Sequence, residues 1–446
     1  MSNNELLRTE KIGKLLFKFS LPAIVGMLVN ALYNVVDRMY IGWLGPLAMT
    51  GIGLSLPLMT LLMGLSMLVG IGSGARISIR LGQNRKDDAE HILGNAFVLL
   101  ILIMASAMVL GLIFKTPLLY LFGASSATID YADQYLTVIL LGSVFQGLGF
   151  GLTGVMRSEG SPKQAMLTTL AGAITNIILD PIFIFALGMG IRGAAVATII
   201  SQFVTMALVL RHFGKGKGHL KIHRKNFKLD TGIIASILSI GMSPFFMQVA
   251  ASIVTVVSNN ALKSTGGDIA IGAMTVINAI AIFFLMPIFG LNQGTQPIVG
   301  YNYGAKQYDR VKKTLKLAIL AGTCVSTTGF LLTQFFTEQL IHIFNSDPEL
   351  VSVATHGMKI FLSMLPVIGF QIISANYFQA VGKAPKAIFL SLLRQVIVLI
   401  PLLIILPKFF GLSGVWYAGP AADFTASVVT AIFLFHEMRH LDEVQA

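Results

Sequence analysis

A chain of 446 residues in which 55% are hydrophobic and only 12% are charged, with a mean hydropathy of +0.78, is not a soluble protein; soluble domains carry about 25% charged residues. Apolar runs of about 20 residues, the length of a membrane span, recur throughout and leave no soluble domain of useful size. One cysteine, Cys324, excludes an intrachain disulfide and a cysteine-based metal site, and the net charge of +12 raises a nucleic-acid reading that its distribution removes.

In chain order the sequence predicts twelve spans, at 15–41, 47–75, 92–114, 131–156, 164–186, 192–212, 231–259, 268–296, 313–336, 352–379, 386–407 and 412–436. The polar N-terminus shows no short apolar segment with a cleavage site, so no removable signal peptide is expected. An even number of spans puts both termini on one side. Taking the N-terminus and then alternate loops, one side collects 25 Lys and Arg, among them Arg76, Arg80, Arg157 and Lys306, while the other holds only Lys115, Arg192, Lys263 and Lys408. Positive charge marks the cytoplasm, so a multi-pass protein of the inner (cytoplasmic) membrane with cytoplasmic termini is expected. With the basicity used for orientation, and no charged domain outside the membrane, no nucleic-acid partner is expected.

The longest and most basic loop, 211–230, falls at mid-chain and reads as a linker. The expected division is an N-terminal six-helix lobe at 1–212, a basic cytoplasmic linker at 213–230 and a C-terminal six-helix lobe at 231–446. Within the linker His219 and His223 are four apart, but Gly214, Gly216 and Gly218 beside them predict a mobile loop with solvated histidines rather than a metal pair. The halves repeat. An offset of 222 maps Pro22 onto Pro244, Gly72 onto Gly294, Gly82 onto Gly304, Asp87 onto Asp309 and Gly160 onto Gly382. An offset of 221 maps Gly190 and Gly193 onto Gly411 and Gly414. Six spans per repeat make the repeats parallel, related by an axis along the membrane normal, with a substrate cavity expected between lobes that open alternately to either side. The fold class is therefore an all-α integral membrane protein of twelve transmembrane helices in two pseudo-symmetric six-helix lobes.

Asp37, Asp180 and Asp423 are the clear acids inside spans. A carboxylate there costs about 2.5–3.5 kcal/mol on insertion scales and reads as functional. Asn30, Asn34 and Asp37 follow the i, i+4, i+7 spacing of one helix face. Asn176 and Asp180 share a face in span 5, and Pro181 frees the Ile177 carbonyl and kinks the helix. Thr198 and Gln202 form a polar pair in span 6, and Tyr135 offers a hydroxyl from span 4. If these converge, the N-terminal lobe holds an oxygen-rich pocket for H⁺, or for Na⁺ at the Asp37/Asp180 cluster. In the second half Val256 replaces Asn34, Asn259 replaces Asp37, and Ile400-Pro401 replaces Asp180-Pro181. The proline persists and the acid does not, so ion coupling is expected in the first lobe. Asp423 is expected to pair structurally with Arg394 in the preceding span. Gln248, Asn278 and Gln371 are the candidate polar lining of the substrate cavity in the second half, beside Asn30, Asn34 and Gln202 in the first.

Gly149-Phe150-Gly151-Leu152-Thr153-Gly154 fits GxGxxG but lies within a span with no preceding strand, so close helix packing explains it better than a dinucleotide. No P-loop, GxSxG or HExxH is present, which removes support for ATP-driven transport and for the common membrane hydrolases; the protein is not expected to be an enzyme. The 20 Met and 30 Phe mostly face lipid or pack, and those lining a cavity would suit varied lipophilic cations.

Val36-Asp37-Arg38-Met39-Tyr40-Ile41-Gly42, the stretch Asn176 to Phe183, and Gln296-Pro297-Ile298-Val299-Gly300-Tyr301-Asn302-Tyr303-Gly304-Ala305 resemble the multidrug and toxic compound extrusion (MATE) family, in the style of its bacterial MepA-like and DinF-like members. The resemblance covers almost the full length. It implies export of cationic, lipophilic compounds, antibiotics among them, by a secondary antiporter driven by inward H⁺ or Na⁺. It carries a coupling-ion cluster onto Asp37, Tyr135, Asn176, Asp180 and Thr198. The NorM-type acids of the second lobe do not carry over, since Gln248 and Ile368 stand at their places. Small organic cations and the bilayer are the expected partners, no cofactor is expected beyond the coupling ion, and function as a monomer is expected. The rival reading, a flippase for a lipid-linked saccharide, would favour a cationic cavity for pyrophosphate, whereas acids predominate in these spans.

Overall fold

The computed structural model describes residues 3–214, 218–344 and 347–445; Lys215, Gly216 and Lys217 of the expected linker lie outside the described residues. A short helix, Asn3–Thr9, precedes the spans. The spans are α1 (Ile12–Gly42), α2 (Leu47–Gly82), α3 (Lys86–Leu121), α4 (Ile129–Ser158), α5 (Pro162–Ala186), α6 (Gly190–Gly214), α7 (Thr231–Gly267), α8 (Ile269–Gly304), α9 (Tyr308–Phe335), α10 (Pro348–Phe361 and Leu365–Ala380), α11 (Ala384–Phe410) and α12 (Leu412–Glu443). Among the described residues there is no strand. The expectation of twelve apolar helices is borne out, with two corrections. Span 10 is not continuous: its two halves meet at 52°, with Pro366 in the first turn of the second half, where its missing N–H costs nothing. Spans 7 and 8 have no loop between them; Gly267, at φ 65° and ψ −160°, makes the turn alone. Several helices also outrun the predicted spans, because 36 residues rise about 54 Å and a bilayer core is about 30 Å thick.

The repeat extends to the backbone. Asn84 and Lys306, Gly160 and Gly382, and Gly190 and Gly411 all take positive φ, and each pair falls at the offset found in the sequence. The glycine contacts are reciprocal as well. A Cβ on Gly82 of α2 would fall 1.9 Å from the Tyr301 carbonyl oxygen of α8, and one on Gly304 of α8 would fall 2.1 Å from the Ile79 oxygen of α2. Ile79 and Tyr301 are themselves repeat mates, so one backbone-to-backbone contact is made twice about a pseudo-twofold axis.

That contact lies at the face where the termini gather. There Arg310 donates from Nη2 to the Leu7 and Glu10 carbonyls, at 3.0 and 2.9 Å, and Lys312 pairs with Asp442. Along this terminal face one apolar core joins both halves and includes Leu15, Val69, Leu152, Ile237, Ile298 and Phe378. Toward the opposite face the core divides. Ile41, Tyr135 and Ile184 belong to one cluster, and Leu262, Ile277 and Trp416 to another. The lobes are thus fastened at the terminal face and packed separately beyond it.

The described part of the linker is tied down rather than mobile, although His223 is exposed as expected. Leu220 and Asn226 are buried. Glu159, fully buried at the end of α4, pairs with His212 and accepts the Leu220 N–H at 2.9 Å. Glu90 of α3 accepts the Lys221 N–H at 3.2 Å and meets His223 Nε2 at 3.3 Å. Asn95 accepts the Asp230 N–H at 2.8 Å, and Phe97 stacks on Phe227 at 5.3 Å. Burial, and then the nearby Lys86 ammonium, hold the half-buried His219 imidazole below its usual range. The glycines of the linker argued for freedom; glutamates and an asparagine far away in sequence override them by capturing its backbone.

Candidate functional site

α1, α4, α5 and α6 surround a cavity of about 310 Å³ in the N-terminal half. Asn30, Asn34 and Asp37 project from one face of α1, as their spacing required, and all three line it. The two amides hold each other: Asn34 Nδ2 donates to the Asn30 carbonyl at 2.7 Å and to its Oδ1 at 2.9 Å. Asp37 remains beyond them with its Oδ1 buried and without a donor.

α5 brings the second acid. Asn176 and Asp180, both fully buried, stand one turn apart. Asn176 Nδ2 donates to Asp180 Oδ1 at 3.2 Å and approaches Thr198 Oγ1 of α6 at 3.5 Å. Pro181 keeps helical angles, φ −64° and ψ −30°, and the chain runs directly into a π-turn over Ile182–Ala186. A π-turn carries an extra residue and absorbs the proline without ending the helix. The helix thus widens immediately beyond the acid. The Asp180 and Asp37 carboxylates are near enough to interact across the gap between α5 and α1. Asp180 Oδ2, Asp37 Oδ1 and Asn176 Oδ1 are all buried without a donor. Such orphan acceptors are costly, and together they make a place that a proton or a small cation would satisfy. Among the described residues no group of three or more His, Cys, Asp and Glu is arranged to hold a metal.

Tyr135 lines the cavity from α4 and Gln202 from α6, beside Thr198. Five predicted cluster residues, Asp37, Tyr135, Asn176, Asp180 and Thr198, therefore come together, with Asn30, Asn34 and Gln202 alongside. The other three lining candidates do not join them. Gln248 packs on α2, its Cβ 3.5 Å from where a Cβ on Gly64 would be. Asn278 is exposed and Gln371 is buried. None of the three lines this cavity, which lies inside one lobe and takes from the second half only Gln293. The expected lining between the lobes is a separate place from this gap, which α1, α4, α5 and α6 open within their own lobe. The sequence reading also missed Tyr33, which lines the cavity one turn before Asp37; its i, i+4 spacing was the available signal. Arg157, Met59, Met63 and Met166 were missed too.

In the other lobe Arg394 donates from Nε to Asp423 Oδ1, joining α11 to α12. Arg394 lies in a second π-turn, Leu393–Leu399, just ahead of Pro401. The repeat thus keeps a proline with a π-turn near it, here ahead of the proline rather than after it, and carries Ile400 where the first half has Asp180.

Twelve spans in two repeated lobes, fastened at one face and enclosing an acid-lined cavity in the first, define a polytopic carrier fold. The MatE family model matches residues 22–182 and 233–405, one segment in each repeat, so the chain belongs to the MATE family of membrane transporters. It is 29% identical over 450 residues to the multidrug export protein MepA of Staphylococcus haemolyticus, covering 99% of this chain and 97% of that one. Among solved structures it is similar to the MATE multidrug transporter DinF-BH, at 39% identity and a TM-score of 0.90, covering 96% of each chain. An outward-facing MATE transporter of the MOP superfamily shares the fold with a TM-score of 0.94, over 99% of both chains, at 24% identity.

Proposed function

We propose that the protein is a secondary antiporter that exports cationic, lipophilic drugs and toxic compounds across the cytoplasmic membrane in exchange for inward H⁺ or Na⁺. The observation that carries this reading is the Asp37–Asp180 pair, set beside the cavity with buried oxygens that lack donors. Two facing carboxylates repel each other. A proton or Na⁺ arriving between them removes that repulsion and draws α1 toward α5. A cationic substrate held in the cavity then loses its counter-charge and leaves. Met59, Met63 and Phe145 give the cavity adaptable apolar walls and a ring face for such substrates. The family relatives named as multidrug transporters support the substrate class.

In this reading the functional parts are the lobes 1–212 and 231–446 joined by the linker 213–230, acting as a monomer. The terminal face is cytoplasmic, so lobes fastened there and separate beyond it present the outward-facing half of the cycle. The deciding experiment is ethidium efflux from loaded vesicles, with the H⁺ and Na⁺ gradients collapsed separately. Efflux should stop when one of the two is removed, which identifies the coupling ion. Efflux indifferent to both gradients overturns the antiport reading.

A further inference from the structure

We propose that the terminal-face end of the same cavity is an anion subsite built on Arg157, which holds a carboxylate or phosphate group of a bound amphiphile. This rests on the reading of the cavity as the substrate site and adds to it a second, oppositely charged station.

Arg157 is in the last turn of α4 and lines the cavity with Pro162 and Met166. Arginines near the ends of spans normally extend toward the aqueous face. This one cannot do so easily, because helix side chains lean toward the helix N-terminus, and the N-terminus of α4 is at the opposite face. The guanidinium follows that lean: its Nη2 is 4.0 Å from the place a Cβ on Gly154, almost a turn back, would occupy. The charge therefore points into the membrane. Among the described residues it has no carboxylate within 4.0 Å and no hydrogen-bond acceptor. The arginine–carboxylate contacts of the described residues are all at a surface or between α11 and α12. The end of the α4 dipole contributes only about half a unit of negative charge, spread over several carbonyls, and the guanidinium, which carries five N–H donors, lines the cavity. A forked donor of this kind fits a carboxylate or phosphate in two-pronged fashion.

The two stations are far apart. Asn176, at the acid cluster, is fourteen residues from Pro162 along α5, or about 21 Å. A compact drug cannot engage both at once. A substrate carrying an anion meets Arg157 at one end of the cavity and gives up that contact before reaching the acids. A phospholipid headgroup entering from the cytoplasmic leaflet would use the same fork.

The test uses the full-length protein purified and reconstituted without gradients, so that antiport plays no part. Two dyes serve as probes: rhodamine 6G, an ethyl ester, and rhodamine 19, the same cation with a free carboxylate. In neutral phosphatidylcholine nanodiscs the wild type should bind both dyes. Arg157→Gln should weaken rhodamine 19 at least about tenfold and leave rhodamine 6G within about twofold, since hydrogen bonds to charged groups are the stronger kind. Arg157→Lys should keep part of the preference. If lipid phosphate is the natural occupant, replacing phosphatidylcholine by phosphatidylglycerol should erase the difference between wild type and Arg157→Gln. Equal effects of Arg157→Gln on both dyes in neutral lipid overturn the subsite, and failure of the wild type to bind either dye overturns the substrate reading of the cavity as well. Should Arg157→Gln fail to fold, Arg157→Lys and the ester-against-acid comparison in the wild type still decide, because a wild type that loses nothing on esterification refutes the anion site.

Discussion

Asp37 and Asp180 are isosteric with asparagine, so replacing either changes charge and proton capacity and almost nothing else. With Asp37→Asn or Asp180→Asn the pair no longer repels when empty and no longer takes up an ion when loaded. Ethidium efflux should fall to the background of empty vesicles in each variant, with normal amounts of protein in the membrane fraction by immunoblot; normal efflux from both would sink the proposed mechanism. At this scale much is visible in the sequence. An acid inside an apolar run is costly enough to be conspicuous, and i, i+4 spacing is sufficient to place Asn176 beside Asp180 and Asn30 beside Asn34. Gln248, Asn278 and Gln371 carry a weaker signal, because a neutral amide in a span is cheaper to satisfy than an acid and says less about a cavity.

Elements answer to neighbours that the linear pattern does not name. α5 passes through Pro181 as a π-turn, which spares the helix and leaves Asp180 facing α1. In Pro181→Ala the restored N–H lets an ordinary turn form, which rotates the remainder of the helix by one residue and loosens the register of Asp180 against Asp37. Thermal stability in detergent should be held or raised, since an interior proline costs about 3 kcal/mol where it is not accommodated, and efflux should drop severalfold. A variant that melts earlier yet transports normally would contradict this role. The linker depends on Glu159, whose buried carboxylate takes His212 and the Leu220 N–H together. Glu159→Gln replaces a charged acceptor by a neutral one. Backbone amides over 218–230 should then exchange about tenfold faster by mass spectrometry, in keeping with the 1.5–3 kcal/mol typical of hydrogen bonds to charged groups. Unchanged protection would mean that apolar contacts such as Phe97 on Phe227 hold the segment unaided.

For the molecule as a whole, orientation is the claim most directly open to measurement. With Cys324 replaced by serine, single cysteines introduced as Ser125→Cys and His223→Cys mark opposite faces. A membrane-impermeant maleimide should label the first in intact cells and the second only after the cells are opened. The reverse pattern would invert the whole scheme and place the fastened face outside. The two-lobed fold that these positions report on was legible at a coarse level because the bilayer imposes it. A span must be about 20 apolar residues and must satisfy its own backbone, so hydropathy alone counted the helices. The repeat then followed from residues with special backbone geometry, and Asn84 with Lys306 and Gly160 with Gly382 adopt matching positive φ in the folded chain.

By itself, then, the sequence determined the number of spans, the division into two related halves, and the inequality between them, in which Asp180-Pro181 becomes Ile400-Pro401. These are local matters of hydrophobicity, spacing and substitution. Tertiary structure alone decided that the lobes share a core at one face and part beyond it, that the cavity lies within the first lobe, that the linker is captured, and that Arg157 points inward with no partner among the described residues. Each of these depends on groups distant in the chain reaching one another, and hydropathy and helical period carry no record of which distant groups will meet.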